Sequence, residues 1–257
     1  MTNQIDQVMT EKVDGKNTIA LFDLDGTLTA PRNKASAEML TFLSELRKTV
    51  TTGVVSGSDR SKINEQLGLD AAEVCDYVFS ENGVVACKGV KQIGSSSIAV
   101  YLGEAKLKQL INFVLKYFSG IDIPVKRGTF VEYRTGMLNF SPIGRACSQK
   151  EREEFFAFDK EHGVRKEFVK ALYTEFPKKE FGLQFSIGGQ ISVDCFPVGW
   201  DKTFCLKFVE EFEHVHFFGD MTHEGGNDHE IFADIRTIGH TVQCPGETIE
   251  KCTNLFL

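Results

Sequence analysis

The sequence is poor in the features that mark several protein classes. Its seven cysteines, Cys75, Cys87, Cys147, Cys195, Cys205, Cys244 and Cys252, are odd in number and widely spread, and none forms a Cys-x-x-Cys pair. That excludes a motif-type zinc clasp or thiol-exchange site, and the thiols read as mostly reduced. No run approaches the roughly 20 apolar residues of a membrane span. Basic residues are outnumbered, 29 Lys+Arg against 36 Asp+Glu, so no general affinity for nucleic acid or an anionic membrane is expected. Residues 1–16 are polar, carry Asp6, Glu11 and Asp14, and lack the basic start and apolar stretch of a secretory signal. They read as a short N-terminal tail on a cytoplasmic protein.

What is present is an ordinary globular composition, 257 residues with 42% hydrophobic side chains, enough to bury roughly three quarters of the unfolded surface. Thr18-Ile19-Ala20-Leu21-Phe22 is an unbroken apolar run that stops at Asp23-Leu24-Asp25-Gly26. Such a run suits a buried parallel strand that delivers carboxylates at its C-terminal edge. A helix should follow, capped by Ser36, with Met39, Leu40, Leu43 and Leu46 on one face. Thr51 to Val55 reads as a second strand, ending in Ser56-Gly57-Ser58-Asp59, where a helix through Leu67 can be capped. Tyr77-Val78-Phe79 reads as a third strand. Strands alternating with helices predict an α/β fold with a doubly wound parallel sheet, which binds ligands beyond its strands' carboxyl ends.

The alternation breaks after about Ile93. Residues 94–196 read as helix, strand, strand, helices, strand, strand, with a capping box at Ser148-Gln149-Lys150-Glu151 and a hairpin signal at Gly188-Gly189. This is the pattern of an inserted α+β domain, a cap, framed by a core of residues 17–93 and 197–257. The core resumes with a helix from Asp201, the strand His216-Phe217-Phe218 ending at Gly219-Asp220, and a helix from about Glu247. Residues 95–196 hold 15 Lys+Arg against 12 Asp+Glu and the rest 14 against 24, so the insertion is basic and the framing domain acidic, a difference that an ordinary surface would also give and that gains meaning only beside the motifs.

Two carboxylates at i and i+2 on a strand tip, with a glycine behind them, suit attack on phosphorus. One forms an acyl phosphate and the other moves the proton. Asp23 would attack and Asp25 would serve as acid and base. Gly219-Asp220 and Asn227-Asp228 can complete the all-oxygen site that Mg²⁺ prefers. An isolated Asp-x-Asp is more often a turn or cap. The ordered set of Asp-x-Asp-Gly-Thr, Ser-Gly-Ser, Lys202 and Gly-Asp, each where the strand pattern wants it, is what favours chemistry. Arginine forks bind phosphate bidentately, whereas Arg127 reads as a surface residue. Ser192 and Asp194, either side of Val193 on a strand, share a face suited to sugar hydroxyls. His214 and His216 lack further metal ligands and read as packing.

Asp23-Leu24-Asp25-Gly26-Thr27, Ser56-Gly57-Ser58, Lys202 and Gly219-Asp220 resemble the motifs of the haloacid dehalogenase superfamily of phosphotransferases. Leu28-Thr29-Ala30-Pro31-Arg32, Lys126-Arg127-Gly128-Thr129-Phe130, the segment Asn139 to Arg145, Gly188-Gly189-Gln190-Ile191-Ser192 and Gly225-Gly226-Asn227-Asp228-His229-Glu230 look like eukaryotic-type phosphomannomutase. The resemblance implies a haloacid dehalogenase-like core with Asp23 as nucleophile, Asp25 as acid/base, and Ser58 and Lys202 on the phosphate. Where relatives have Gly-Gly-Ser this chain has Ser56-Gly57-Ser58, so the phosphate-binding hydroxyl is Ser56 or Ser58, with Ser58 favoured. It implies Mg²⁺ on Asp23, the Asp25 carbonyl and Asp220, supported by Asn227 and Asp228, and a second cation on Phe232, Asp234 and Thr237. It implies sugar-phosphate contacts from Arg32, Arg134, Arg145, Arg152, Ser192 and Asp194, a hexose 1,6-bisphosphate (glucose or mannose) as activator, and a homodimer through the cap.

The activity so implied is interconversion of mannose 6-phosphate and mannose 1-phosphate, supplying mannose 1-phosphate for GDP-mannose synthesis and glycosylation. The partners are then small hexose phosphates, with mannose or glucose left open. A sugar-phosphate phosphatase on the same fold, or a non-catalytic phosphate receiver, would use many of the same residues.

Overall fold

In the computed structural model, which describes residues 15–31 and 33–257, the apolar run Thr18–Phe22 is β1, and all five of its residues are buried. The expected tail up to residue 14 and the side chain of Arg32 lie outside the described residues. Ile19 and Leu21 pack on one face of the sheet with Val55, Phe79, Cys205 and Ile231. Ala20 and Phe22 pack on the other with Met39, Leu43, Leu46 and Phe256. A strand covered on both faces has no polar side to show, which is why its sequence does not alternate.

Parallel to β1 run β2 (Thr51–Val55) on one side and the strand His214–Gly219 on the other. In chain order the remaining core strands are β3 (Tyr77–Ser80), β4 (Val85–Lys88) and β5 (Lys91–Ser95). The inserted unit supplies β6 (Val131–Tyr133), β7 (Leu138–Phe140), β8 (Leu183–Gly188) and β9 (Ser192–Pro197), after which His214–Gly219 is β10 and Ile238–Thr241 is β11. The core sheet has the order β11-β10-β1-β2-β3-β4-β5. Its first five members are parallel, while β4 and β5 add an antiparallel edge that the sequence pattern does not announce.

Ser36 and Asp59 cap the helices Ala37–Leu46 and Arg60–Leu67 by accepting the N–H groups of Met39 and Lys62. In the first of these helices Phe42 joins Met39, Leu43 and Leu46 in the core, and Leu40 is only partly covered. The helix expected from Asp201 is a 3-10 helix, Lys202–Phe208, capped by the Asp201 side chain, and the last helix starts at Pro245.

The chain divides into two compact units, Met1–Ser95 with Asp201–Leu257, and Ser96–Trp200. The breaks lie slightly beyond those read from the sequence. Lys91–Ser95 pairs with β4 as the sheet edge, while the Val198 N–H bonds to the Gly182 carbonyl and Trp200 packs on Tyr101 in the inserted unit. In that unit the sheet order is β6-β7-β9-β8, all antiparallel. Leu138, Phe140, Val193 and Cys195 face the helices Glu104–Gly120 and Val164–Glu175, forming one apolar cluster with Leu110, Val114, Phe168 and Leu172. The capping box forms as read, with Ser148 and Glu151 bonding reciprocally at the start of the helix Gln149–His162.

His216 fills a packing role. Its Nδ1 lies 2.9 Å from Nε2 of His240 on the neighbouring strand, and the His240 ring stacks on Phe218. Burial lowers both rings to about 4, with the opposing charge of His240 and His214 adding for His216 and that of Lys251 for His240. Unfolded histidines titrate near 6.5, so the unfolded chain binds protons that the native rings refuse as pH falls from there toward 4. Above pH 6.5 the pair costs nothing. Between pH 7 and pH 5 it should cost on the order of 2 kcal/mol of stability, after discounting for solvent screening of the half-buried His240. Urea unfolding of wild type and His216→Leu at the two pH values measures this. Identical pH dependence in the two proteins would remove the pair from the acid response.

Candidate active site

Three carboxylates converge beyond the C-terminal ends of β1 and β10. Asp23 follows β1, Asp220 follows β10, and Asp228 precedes the helix His229–Ala233; one oxygen from each lies within 4.8 Å of the others. Two glycines make room. Gly26 turns at φ +80°, and a Cβ there would stand 2.3 Å from Asp220 Oδ2. A Cβ on Gly219 would stand 2.6 Å from Asp228 Oδ2. Lys202, only 1% exposed, donates from Nζ to Asp23 Oδ1 and, at 2.5 Å, to Asp228 Oδ1. The Met221 N–H donates to Asp228 Oδ2 at 3.1 Å, which fixes that carboxylate behind the lysine.

Three acids around one ammonium leave an excess of buried negative charge. Burial pushes the Asp23 carboxyl up to about 7 against the pull of Lys202, and the Asp228 charge adds to the rise. Asp220 is raised by burial and by Asp228. Burial alone would lower the Lys202 ammonium, but the two aspartates override it and hold the lysine charged. Oxygen donors with uncompensated negative charge form a set that fits a divalent cation.

Asp25 stands apart from this cluster. Its Oδ1 accepts a hydrogen bond of 2.8 Å from Nε2 of Gln66, on the helix Arg60–Leu67, and its backbone bridges to Thr29. Asn227 is exposed on the turn before Asp228. In the loop after β2 the buried Ser56 Oγ accepts the Ser58 N–H at 3.1 Å, while Ser58 itself is half-buried. Neighbouring Glu81 and Asn82, both at positive φ, donate their N–H groups to the Ser58 and Ser56 carbonyls, pinning that loop. Phe232, Asp234 and Thr237 lie on one segment of the core. Arg236 grips the Asp234 carboxylate at 2.7 and 2.8 Å and lowers its pKa, and the Thr237 hydroxyl donates to the Ile231 and Asp234 carbonyls.

The inserted unit holds a second polar cluster. Arg134 and Arg145 both contact Glu132, and Arg145 Nη1 donates to Asn139 Oδ1 at 2.6 Å. Asn139 donates in turn to Asp194 Oδ1 at 2.5 Å. Arg152 is near enough for its charge to oppose that of Arg145, whose pKa burial lowers. Buried Ser192 sits at the start of β9, its carbonyl held at 3.3 Å by Arg165, which also donates to the Gly188 and Gly189 carbonyls and is locked by Asp159. Arg127 pairs with Glu151, as a surface arginine should.

A family profile described as eukaryotic phosphomannomutase matches residues 39–257. The chain is 59% identical over 239 residues to the phosphomannomutase of Glycine max, covering 93% of this chain and 96% of that one. With the phosphomannomutase of Arabidopsis thaliana the identity is 57% over 249 residues, 97% of this chain and all of the other. The chain belongs to the eukaryotic phosphomannomutase family.

The resemblance read from the motifs therefore holds. Among solved structures, trehalose-6-phosphate phosphatase from Aspergillus fumigatus is similar with a TM-score of 0.56, over 93% of this chain and 92% of that one, at 18% identity. That likeness supports the haloacid dehalogenase-like fold. A phosphomannomutase of this fold implies Mg²⁺, and the carboxylate set around Asp23 fits it. Sequence reading assigned no role to four residues that shape the two polar clusters: Gln66, Glu132, Asn139 and Arg165. Glu132 had a partial signal, since it precedes Arg134 by two residues at the end of β6. Gln66 had none, being 41 residues from the aspartate it holds.

Proposed function

We propose that this member of the phosphomannomutase family interconverts mannose 6-phosphate and mannose 1-phosphate through an aspartyl phosphate on Asp23 and a hexose 1,6-bisphosphate. What supports this reading is the presence of two phosphate-handling groups on one chain, the carboxylate-lysine centre of the core and the arginine cluster of the inserted unit. A mutase must recognise both ends of a bisphosphate.

Phosphorylated Asp23 gives its phosphoryl group to a free hydroxyl of the hexose monophosphate. The bond from phosphorus to Asp23 breaks, the bond to the sugar oxygen forms, and Asp25 takes the hydroxyl proton. The bisphosphate turns round, Asp23 attacks its other phosphate, and Asp25 returns the proton to the leaving sugar oxygen. Gln66 orients Asp25 for both steps. Lys202 and the hydroxyl of Ser58 steady the phosphoryl oxygens; Ser58 is preferred to Ser56 because Ser56 is buried and engaged within its own loop. Asp23, the Asp25 carbonyl and Asp220, with Asn227 and Asp228 behind them, would hold Mg²⁺, which when bound offsets charge on the phosphoryl oxygens.

Arg134, Arg145 and Arg152 would take the phosphate that is not reacting, and Ser192 and Asp194 the sugar hydroxyls. Arg32 joins them by family resemblance. The second cation site on Phe232, Asp234 and Thr237 also rests on the family, and a cation held there would compete with Arg236 for Asp234. A trace of glucose or mannose bisphosphate would prime the enzyme, and its mannose 1-phosphate would feed GDP-mannose synthesis and glycosylation in the cytoplasm. Large apolar side chains exposed on the inserted unit, Leu115, Tyr133 and Ile187 among them, support a homodimer formed through it.

Phosphorus NMR with mannose 1-phosphate, Mg²⁺ and trace glucose 1,6-bisphosphate tests the reading. Growth of the 6-phosphate resonance to an equilibrium mixture is expected. Steady accumulation of inorganic phosphate instead would make the protein a phosphatase.

A further inference from the structure

The strand register of the inserted unit sets three polar residues in a row: Glu132 on β6 opposite Asn139 on β7, and Asn139 opposite Asp194 on β9. Their neighbours Leu138, Phe140, Val193 and Cys195 belong to the apolar cluster, so the row lies on the opposite face of the sheet. Onto the Glu132 end of that row come two guanidinium groups. Arg134 Nη2 lies 2.8 Å and Arg145 Nε 2.6 Å from the same oxygen, Glu132 Oε2.

One carboxylate oxygen for two arginines is a poor match to their donors. A guanidinium offers five N–H groups in a planar fork, suited to two oxygens at once. Arg134 Nε is buried and has no hydrogen-bond partner among the described residues. Its remaining fork nitrogen, Nη1, donates to a weak acceptor, the sulfur of Met137, at 3.6 Å. A phosphate brings three oxygens and about two negative charges, and so satisfies such a pair better than Glu132 does. The carboxylate nevertheless has to be displaced, and that cost is charged against every phosphate that binds.

We propose that Glu132 is a built-in competitor for the substrate's non-reacting phosphate. Its carboxylate holds Arg134 and Arg145 together at the spacing a phosphate needs, yields them when the phosphate arrives, and returns to them when it leaves. This deepens the mutase reading and rests on it, because the two arginines must be phosphate ligands. A mutase has a particular use for such a residue. The bisphosphate has to let go of the arginine cluster halfway through each catalytic cycle and present its other end, so a grip without a competitor would trap it. Glu132 acts through the arginines and is a positioning residue.

The proposal fixes the sign of one experiment. Glu132→Gln keeps the size of the side chain and one acceptor oxygen but removes the competing charge. The residue's side chain is 30% exposed, so the fold should survive, which a thermal melt followed by circular dichroism verifies. Binding of glucose 1,6-bisphosphate is measured by calorimetry in an Asp23→Asn background, where no transfer occurs. Glu132→Gln should tighten it by about 3- to 10-fold, the worth of a charge-assisted contact no longer competed for. Structural damage would only weaken it.

Two further variants separate the possible failures. Arg134→Ala must weaken binding; if it does not, the arginines are not phosphate ligands and the mutase reading loses its second site. If Arg134→Ala weakens binding but Glu132→Gln leaves it unchanged or weaker, Glu132 is merely a structural partner and the inference fails alone. Glu153→Gln removes an exposed acid from the helix Gln149–His162 without touching the cluster. Equal tightening by that change would reduce the effect to the general field of the unit and overturn the proposal.

Discussion

Asp23→Asn should abolish turnover, a loss of at least about 10⁴-fold, because the amide has neither the charge nor the lone-pair basicity to open a phosphate ester. The loss should be chemical and not structural. Asparagine keeps the size of aspartate and an oxygen that can still accept from Lys202, which retains Asp228 as its counter-ion. Stability should move the other way. Burial has pushed Asp23 up to about 7, above the ordinary carboxylate value near 4, so the native state holds a proton there that the unfolded chain has given up. Ionised Asp23 therefore costs stability increasingly as pH rises from about 4 through 7, and the cost remains in full above that. Without Mg²⁺, Asp23→Asn should melt at a higher temperature than wild type at pH 8. Phosphorus NMR, phosphoenzyme labelling and a melt in chelator check the three statements. Mutase activity within about 100-fold of wild type would move the nucleophile elsewhere.

Removing Lys202 should do the opposite and damage the fold. The lysine is the buried counter-charge that two aspartates share, one of them 4% and the other 0% exposed. Lys202→Met leaves both carboxylates in the interior without it, which should cost about 3–5 kcal/mol in urea unfolding at pH 7.5. Three details make the cause identifiable. The loss should shrink toward pH 5, below the raised pKa of Asp23, as that carboxyl takes up a proton. It should be partly recovered by millimolar Mg²⁺, whose charge would offset that of the same carboxylate cluster. It should be recovered further in Lys202→Met with Asp228→Asn, where one of the stranded charges is gone. A loss under about 1 kcal/mol at pH 7.5, unmoved by Mg²⁺, would mean that the aspartates are not held as ions.

The parts of this molecule legible in its sequence are those where one residue's surroundings are fixed locally. Thr18–Phe22 is apolar at every position because β1 is covered on both faces, and Asp23 and Asp25 follow because such a strand must end at a polar edge. Ser36, Asp59 and Ser148 were readable as caps because a cap acts within three residues. The antiparallel edge was not readable. Four of the five residues of β5 are exposed, so it has no apolar face to betray its period, and β4 is only four residues long. The candidate site divides in the same way. Asp-x-Asp-Gly announces itself, but the partners that decide how its carboxylates behave come from far along the chain: Gln66 to Asp25, Lys202 to Asp23, Asp228 to Lys202. Glu132 needed the cross-strand register as well as the sequence, since only the pairing of β6 with β7 puts it beside Asn139 and under the Arg145 side chain.

The distance of Lys202 from Asp23, 179 residues, has a consequence for how the protein is made. On a ribosome β1 emerges early, with β2 close behind to pair on one side, but its other neighbour is β10, whose first residue is His214. Until then one edge of the most apolar strand in the sheet has no partner, and long-range parallel pairing of this kind forms slowly. Residues 96–200, by contrast, are contiguous and make their own sheet and their own apolar cluster, so they can fold as soon as they are synthesised. The arginine cluster is then in place while Asp23, the proposed nucleophile, still waits for its lysine. Synthesis itself keeps the proposed phosphorylating centre incomplete until the whole inserted unit has been made.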